Sequence, residues 1–429
     1  MEAPFSLDDW IARDTIPFGL DASMLDPVVD RIIAALDDSI ELLGLGEALH
    51  GGEDILVLRN RMFERLVATH GFTAIALESS FPRGRLVDDY VHGRRDAASD
   101  VWETGFSHGF GKLETTRELV EWMRQYNADP AHLEELSFYG FDAPTEMTST
   151  DSPRQLLLVA LDYLRSFDTS GAVERHQRIE ELLGDDAAWS NPAAMMDPSK
   201  AIGGSPAASA LRLETEELIT QLRLHQPEPE VAEDEEPFAD AMRHAEHARQ
   251  LLTYHAGLAR PSPQRTATLL GIRDLMMADN LAHIVARERR RGGKVLAFAH
   301  NAHLQYGAAQ WQLGPDLLKW FPAGAHLRAT LVRRYAVIGT GVGVSEANDI
   351  GQPEPDTLEA RLIATPGPAR FIRIPQDKGF AAEGAGLPTR SGSTKNFGYF
   401  PLAARSLSDF DALIVLDSTT YSRGGPKLP

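Results

Sequence analysis

Short uninterrupted apolar runs recur along this chain, separated by longer stretches whose apolar positions fall three or four residues apart. Buried strands of a parallel sheet give the first pattern, and amphipathic helices give the second. The runs lie at 40–45, 72–77 (FTAIAL), 136–141 (LSFYGF), 294–298 (KVLAF), 335–342, 371–374 and 412–416. Helical spacing covers 22–36, 55–70, 83–90, 115–126 and 265–291, and Gly71 follows the second of these as a left-handed cap. The stretch 313–334 also reads as a helix, broken or kinked at Pro322. Residues 100–112, rich in Gly, Phe and His, read as loop, and so does 376–400. The run at 335–342 is expected to enter a Gly-rich turn.

Beyond residue 150 the character changes. Helical patterns at 156–164, 173–183 and 211–224 follow one another without an apolar strand, and another resumes at 238–258. Between the last two lies QPEPEVAEDEEP (226–237), an acidic, proline-bearing run that reads as a surface loop. The expected fold is therefore α/β. It has a mostly parallel central sheet flanked by helices, a helical subdomain capping the cleft, and a smaller C-terminal α/β portion. Residues 1–150 and 261–345 would form the two parts of the core, and 151–260 the helical insertion. The remainder, 346–429, would either complete the core or form a small α+β subdomain.

Composition removes several function classes. Among 429 residues there is no cysteine, which excludes disulfides, Cys-ligated zinc and thiol nucleophiles. A net charge of -20 opposes general nucleic-acid binding, which needs cationic surface. It suits the steering of a cationic small molecule, although solubility is the plainer role for most of these charges. No apolar run approaches a membrane span, and the N-terminal residues lack the pattern of a signal peptide. A cytoplasmic protein with no membrane partner is expected. Its oligomeric state is not legible.

Four of the apolar runs end in ionisable residues: Glu47 with His50, Glu78, Asp142, and His300 with His303. Ligands of open α/β sheets bind at the carboxyl ends of the strands, so these groups are expected to share one crevice. The chemistry on offer there is acid–base. An imidazole held in one tautomer by a carboxylate takes a proton from water, and a second cationic group steadies the oxyanion. Arg59 and Arg61 follow on the next helix, where either can face solvent or point back to the turn. Metal binding is a rival, because Glu47/His50 and His300/His303 are each three residues apart. Gly105-Phe106-Ser107-His108-Gly109 matches G-x-S-x-G, but the DVWET before it is not the buried strand that a nucleophile elbow requires. The spacing of Gly339, Gly341 and Gly343 is a weak nucleotide signature, with no helix after it.

These segments resemble the erythromycin esterase family. The likeness rests on LGEALHG (45–51), the helix bearing Arg59 and Arg61, GFTAIALES (71–79) and ETTRELVEWMRQYN (114–127). It continues through YGFDA (139–143), IRDLMMADNL (272–281), FAHNAHL (298–304) and FDALIVLDSTT (410–420). The chain departs from the pattern at Ala48 and Leu49 and in GFSHGFGKLETTREL. The resemblance implies hydrolysis of a macrolide lactone by activated water, with no acyl-enzyme and no obligatory metal or cofactor. His50 would be the general base, with Glu47, Arg59, Glu78, His300 and His303 around it. Asp142, Ser107, His108 and Arg61 are expected to contact the substrate, a small-molecule ester or lactone. A biosynthetic lyase, cyclase or isomerase using the same acid–base pair, a metal-dependent hydrolase, and a binding protein that lost the reaction stand as alternatives.

Overall fold

The computed structural model describes residues 6–95, 98–146, 149–166, 168–227, 235–375 and 386–425. Its strands are β1 (Ile16–Phe18), β2 (Leu42–Glu47), β3 (Phe72–Ser80), β4 (Ser137–Asp142), β5 (Lys294–His300), β6 (Ala309–Leu313), β7 (Asp316–Trp320), β8 (Tyr335–Val344), β9 (Ala369–Arg373) and β10 (Ala412–Ser418). Eight of them form one sheet in the order β1-β9-β10-β8-β2-β5-β3-β4, while β6 and β7 pair separately. From β10 to β4 every neighbouring pair is parallel, and β9 runs antiparallel to both β1 and β10. Strands from the N-terminal and C-terminal ends of the chain thus extend one central sheet.

Both faces of that sheet are covered, which is why its strands read as continuous apolar runs rather than alternating ones. Leu43 and Leu45 of β2, Ile75 and Leu77 of β3, and Leu296 and Phe298 of β5 join one core with helices Ala22–Ala35, Glu53–His70 and Glu114–Ala128. The intervening residues Leu42, Ala74, Ala76, Val295 and Ala297 face the other core, with Met277, Leu281 and Ile284 of helix Arg265–Arg290. The helices between Arg154 and Leu258 share a third core. Leu157, Leu161, Leu211, Leu218, Leu222, Leu251 and Leu252 meet there, and Met276 joins them from the flank of helix Arg265–Arg290. Among the described residues no helix is long and apolar enough to cross a membrane.

Three sequence expectations change. The stretch 313–334 is not one helix: β6 and β7 form a hairpin that turns at Gly314 (φ 58°), and helix Ala323–Leu331 begins after Pro322. Trp311, Leu313, Leu318 and Trp320 alternate along the two strands, but the doublets Leu317-Leu318 and Trp320-Phe321 gave the run a false helical period. Residues 100–112 are not all loop, since Ala98–Thr104 is helical. Gly339, Gly341 and Gly343 lie inside β8 rather than in a turn. A Cβ on Gly339 would come within 2.8 Å of the Phe410 ring, and one on Gly343 within 2.3 Å of the Asp417 carbonyl, so these glycines serve packing. Of the acidic run at 226–237, residues 228–234 lie outside the described residues, as do 376–385 of the stretch at 376–400.

Burial keeps several histidines of helices Glu235–Leu258 and Arg265–Arg290 in the neutral form. Burial holds His255 down to about 4, against a hydrogen bond from its Nε2–H to the Asp151 carbonyl. It holds His283 down to about 3 and lowers His244 and His247 as well. A histidine whose folded pKa lies below its unfolded value of about 6.5 stabilises the fold above that pH. That contribution is lost as pH falls from about 6.5 toward the folded value. His255→Gln keeps a donor for Asp151 but cannot titrate. The gap in Tm between wild type and this variant is therefore expected to narrow from pH 7.5 to pH 5, as followed by circular dichroism; a constant gap would count against it.

Candidate active site

Register brings the ionisable groups together. Glu47 at the end of β2 is the direct partner of His300 at the end of β5. Glu78 follows Leu77, the partner of Phe298, and Asp142 at the end of β4 lies opposite Ser80. The turn after Glu47 is held from two sides. Ala48 donates its N–H to Thr340 Oγ1 (3.0 Å), while Ser422 N–H reaches the Gly51 carbonyl (2.9 Å) and Glu53 N–H the Thr420 carbonyl (3.0 Å). Gly51 takes φ 82° with the Tyr421 ring against it, a conformation few other residues adopt. A Cβ on Gly46 would lie 2.2 Å from Asn301 Oδ1, the atom that accepts Thr340 N–H and ties the end of β5 to β8.

Three histidines meet at this edge, and their partners put each in a different state. His50 Nδ1 lies 2.5 Å from Glu47 Oε1, and its Nε2 is 4.0 Å from Glu78 Oε1. A carboxylate only accepts, so Nδ1 carries the proton and Nε2 keeps its lone pair whenever the ring is neutral. Burial works against the charged ring, but Glu47 and Glu78 outweigh it and raise the His50 pKa above its usual value. The side chain is 36% exposed, so it is the group of this cluster that meets solvent. His300 is locked neutral. Its Nδ1 accepts the Ala302 N–H (3.1 Å), and its Nε2–H reaches the Gly398 carbonyl (2.9 Å). Burial and the neighbouring His50 hold its pKa down to about 3.

His303 is the opposite case. Its Nδ1 faces Asp274 Oδ1 (2.9 Å) and its Nε2 faces Glu78 Oε1 (3.2 Å). Nδ1–H donates to Asp274, while Nε2 faces both Glu78 Oε1 and, at 3.4 Å, Arg273 Nη1; the two carboxylates favour the doubly protonated ring. Despite burial, Asp274 and Glu78 push its pKa up to about 10. Arg273 reaches Glu78 Oε1 (2.9 Å) and Asp142 Oδ2 (2.6 Å) through Nη2, and Asp142 Oδ1 (2.8 Å) through Nε. Burial of Glu78 is overcome by His303, His50 and Arg273, so its pKa lies well below the usual carboxylate range. His108 (φ 57°) closes the row, with Nε2 3.0 Å from Asp142 Oδ2. Burial would raise the Asp142 pKa, but Arg273 and His108 hold it at about 2.

Other expected residues are placed elsewhere. Arg61 points to solvent and pairs with Glu64 at 2.9 Å, so the structure does not bring it to the site. Ser107 is buried, and its Oγ accepts the Ser80 N–H (2.9 Å) while its own N–H goes to Ser79 Oγ (2.9 Å). It ties a loop to β3. Arg59 lies beneath the site, bonded to Asn60 Oδ1 (3.0 Å) with its guanidinium 5.0 Å from the Phe298 ring centroid. Its influence is electrostatic: burial brings its pKa down to about 10, opposed by Glu47 and Glu53, and it keeps its charge. Sequence reading had not singled out Arg273 or Asp274. The available signal was an acid on the apolar stripe of an amphipathic helix, since Asp274 shares its face with Met277 and Leu281. The wall supplied by Gly398 and Phe400, whose ring lies 4.7 Å from that of His300, was also unforeseen.

Glu47, His50 and Glu78 offer ligand atoms within 4.8 Å of one another, a possible metal set. The donor chemistry fits poorly. Glu78 Oε1 already holds Arg273 and His303, its Oε2 accepts the His300 N–H (2.8 Å), and both cations would repel a third.

A family model described as erythromycin esterase matches residues 67–419. The chain is 25% identical over 137 residues to erythromycin esterase type II of Escherichia coli, and the match spans 32% of each protein, about a third of that relative's length. Among solved structures, a Bacillus cereus protein aligns over 98% of both chains with TM-score 0.75 at 18% identity. A succinoglycan biosynthesis protein aligns over 97% of this chain and 98% of its own, with TM-score 0.71 at 19% identity. A mutant of the erythromycin esterase EreC in its open conformation gives TM-score 0.69 at 18% identity, over 95% of this chain and 98% of its own. At such identities these likenesses establish the fold alone.

Proposed function

Because the chain belongs to the erythromycin esterase family, we propose that it hydrolyses a carboxylic ester of the macrolide lactone kind, with His50 as general base. The observation that carries this reading is the partner set of His50. Its Nδ1–H is held by Glu47 at 2.5 Å, its Nε2 lone pair is left available, and the ring is half-exposed beside the buried cations His303 and Arg273. In the proposed reaction Nε2 takes a proton as water attacks the carbonyl carbon. The positive charge of His303 and Arg273 favours the oxyanion that forms. His50 then returns its proton to the departing alkoxide as the C–O bond breaks, giving acid and alcohol. His300, with both nitrogens engaged, shapes the wall and exchanges no proton. The burial of Ser107, with its Oγ accepting the Ser80 N–H, supports direct attack by water over an acyl-enzyme.

The test is mass spectrometry of erythromycin and other macrolides incubated with purified protein. Gain of one water supports the reading, while loss of one water or an isomerised product favours a lyase, cyclase or isomerase. Hydrolysis is expected to survive prolonged treatment with EDTA. Activity abolished by the chelator and restored by zinc or manganese would favour the metal-dependent alternative.

The pH profile follows from the geometry. A general base works neutral, and Glu47 and Glu78 raise the His50 pKa, so the acid limb of kcat/KM should lie above 6.5. Glu47→Gln removes one of those charges. The limb is expected to move to lower pH while the maximal rate falls, since the tautomer is less well held. An acid limb that stays in place in the variant would remove Glu47 from this role.

A further inference from the structure

Asp274 touches no expected substrate position, yet it is fully buried and accepts three hydrogen bonds from three different elements. His303 Nδ1–H comes from the turn after β5 (2.9 Å), Trp320 Nε1–H from β7 (2.6 Å), and the Ala323 N–H from the first turn of helix Ala323–Leu331 (2.8 Å). Its neighbour Arg273 reaches the same Glu78 Oε1 that His303 Nε2 faces, so two successive residues of one helix supply cationic contacts of that carboxylate, one directly and one through His303. A buried carboxylate with a single partner would be costly; here three donors, one of them at a helix N-terminus, satisfy it. Accepting the Nδ1–H also fixes the ring of His303 and turns its Nε2 toward Glu78 Oε1 (3.2 Å) and Arg273 Nη1 (3.4 Å).

We propose that Asp274 is a positioning residue of the site, holding His303 as a permanently charged imidazolium aimed at Glu78 and joining that charge to the hairpin of β6 and β7 through Trp320. The groups facing His303 are Asp274, Glu78, Arg273 (Nη1 3.4 Å from Nε2), His50 and His300. Two are carboxylates, one is an arginine, and the other two are the histidines of the same crevice. Of the carboxylates, Glu78 is shared with Arg273 and His50, whereas Asp274 gives His303 the shorter contact (2.9 Å against 3.2 Å) and supports Arg273 only at longer range. Asp274 is thus the charge on which the protonation of His303 depends most. The hairpin follows His303 directly in the chain, and its inner face packs Leu318 and Trp320 against Ala302 and Phe400. Displacing the hairpin would withdraw a donor from Asp274 and alter the orientation of His303. The binding of a substrate against that wall is in this way felt at the charged ring.

The kinetic consequence rests on the ester-hydrolysis reading, but the protonation state does not, so the experiment reads both. In the full-length protein labelled with [15N]histidine, proton–nitrogen correlation spectra distinguish imidazolium from neutral rings, and His303→Gln identifies the signal. The wild-type signal is expected to remain doubly protonated at pH 8.5. In Asp274→Asn its titration midpoint should fall by about two units, and in Asp274→Glu it should stay near the wild-type value. Trp320→Phe gives an independent check if Asp274→Asn does not fold: with one donor lost, Asp274 holds His303 more strongly and the His303 midpoint rises. For the reaction, Asp274→Asn should lower kcat about a hundredfold or more, with KM changed little, and Asp274→Glu should restore most of the rate. An unmoved His303 midpoint in Asp274→Asn, or a lower one in Trp320→Phe, would overturn the proposal. If no ester is turned over while the midpoints move as stated, the positioning role stands and the ester reading falls.

Discussion

Replacing His50 by glutamine should lower kcat by about 10²- to 10⁴-fold, the usual contribution of a positioned general base, while KM and the fold change little. The argument lies in what the substitution leaves intact. Glutamine can still donate a hydrogen bond to Glu47, whose carboxylate is buried and whose Oε2 has no hydrogen-bond partner among the described residues. Losing that donor altogether, as in His50→Ala, would leave a buried anion without its nearest partner and confuse a chemical loss with a structural one. The amide has no lone pair of suitable basicity to accept a proton from water, so the chemical step alone is removed. Steady-state kinetics with a turned-over macrolide and Tm from circular dichroism check it. Turnover near wild type would assign the base elsewhere.

The second large effect is on stability. Arg273→Met preserves most of the side-chain volume but removes the positive charge shared by Glu78 and Asp142, both buried. Removing one partner of such a pair typically costs about 3–5 kcal/mol, because the remaining charge is stranded in a poor solvent. The pH dependence has a definite sign. In the wild type both carboxyl pKa values are held low, so their contribution is present at neutral pH and is lost only as pH falls through those values, about 2 for Asp142. In the variant, burial would dominate at Asp142 and drive its pKa upward. Its penalty would then be greatest at neutral pH and be relieved as the group takes up a proton. Urea denaturation at pH 7 and pH 5 should therefore show a large deficit in the variant that shrinks on acidification. A deficit independent of pH would mean that lost packing, rather than stranded charge, is the cause. Activity should also fall, since Glu78 would be free to shift relative to His50 and His303.

Local sequence made the strands legible wherever burial on both faces forced a continuous apolar run, as at 72–77 and 294–298, and it made helix Glu53–His70 legible up to its Gly71 cap. Legibility failed at 313–334, where paired large apolar residues satisfy a period of two and a period near three and a half almost equally well. The glycines of β8 misled for a different reason. Their absence of a side chain answers to Phe410 and Asp417, which arrive from more than sixty residues away. The site divided in the same manner. Glu47, His50, Glu78, Asp142, His300 and His303 could be picked out because each lies at or just beyond the carboxyl end of an apolar run. Arg273 and Asp274 sit mid-helix, and nothing in the local pattern says what a helical charge will meet across the fold.

By itself, then, the order of residues determined which segments become strands and helices and which strand ends carry ionisable groups, because burial and backbone periodicity act over a few neighbouring positions. Tertiary structure alone decided the protonation of those groups. His50, His300 and His303 are chemically identical side chains. One has its Nδ1 held by a carboxylate, one has both nitrogens engaged by backbone groups and one faces two carboxylates. The energy separating those states depends on charges a few ångströms away, and those distances are set by the packing of the sheet, the helix Arg265–Arg290 and the segment around Gly398.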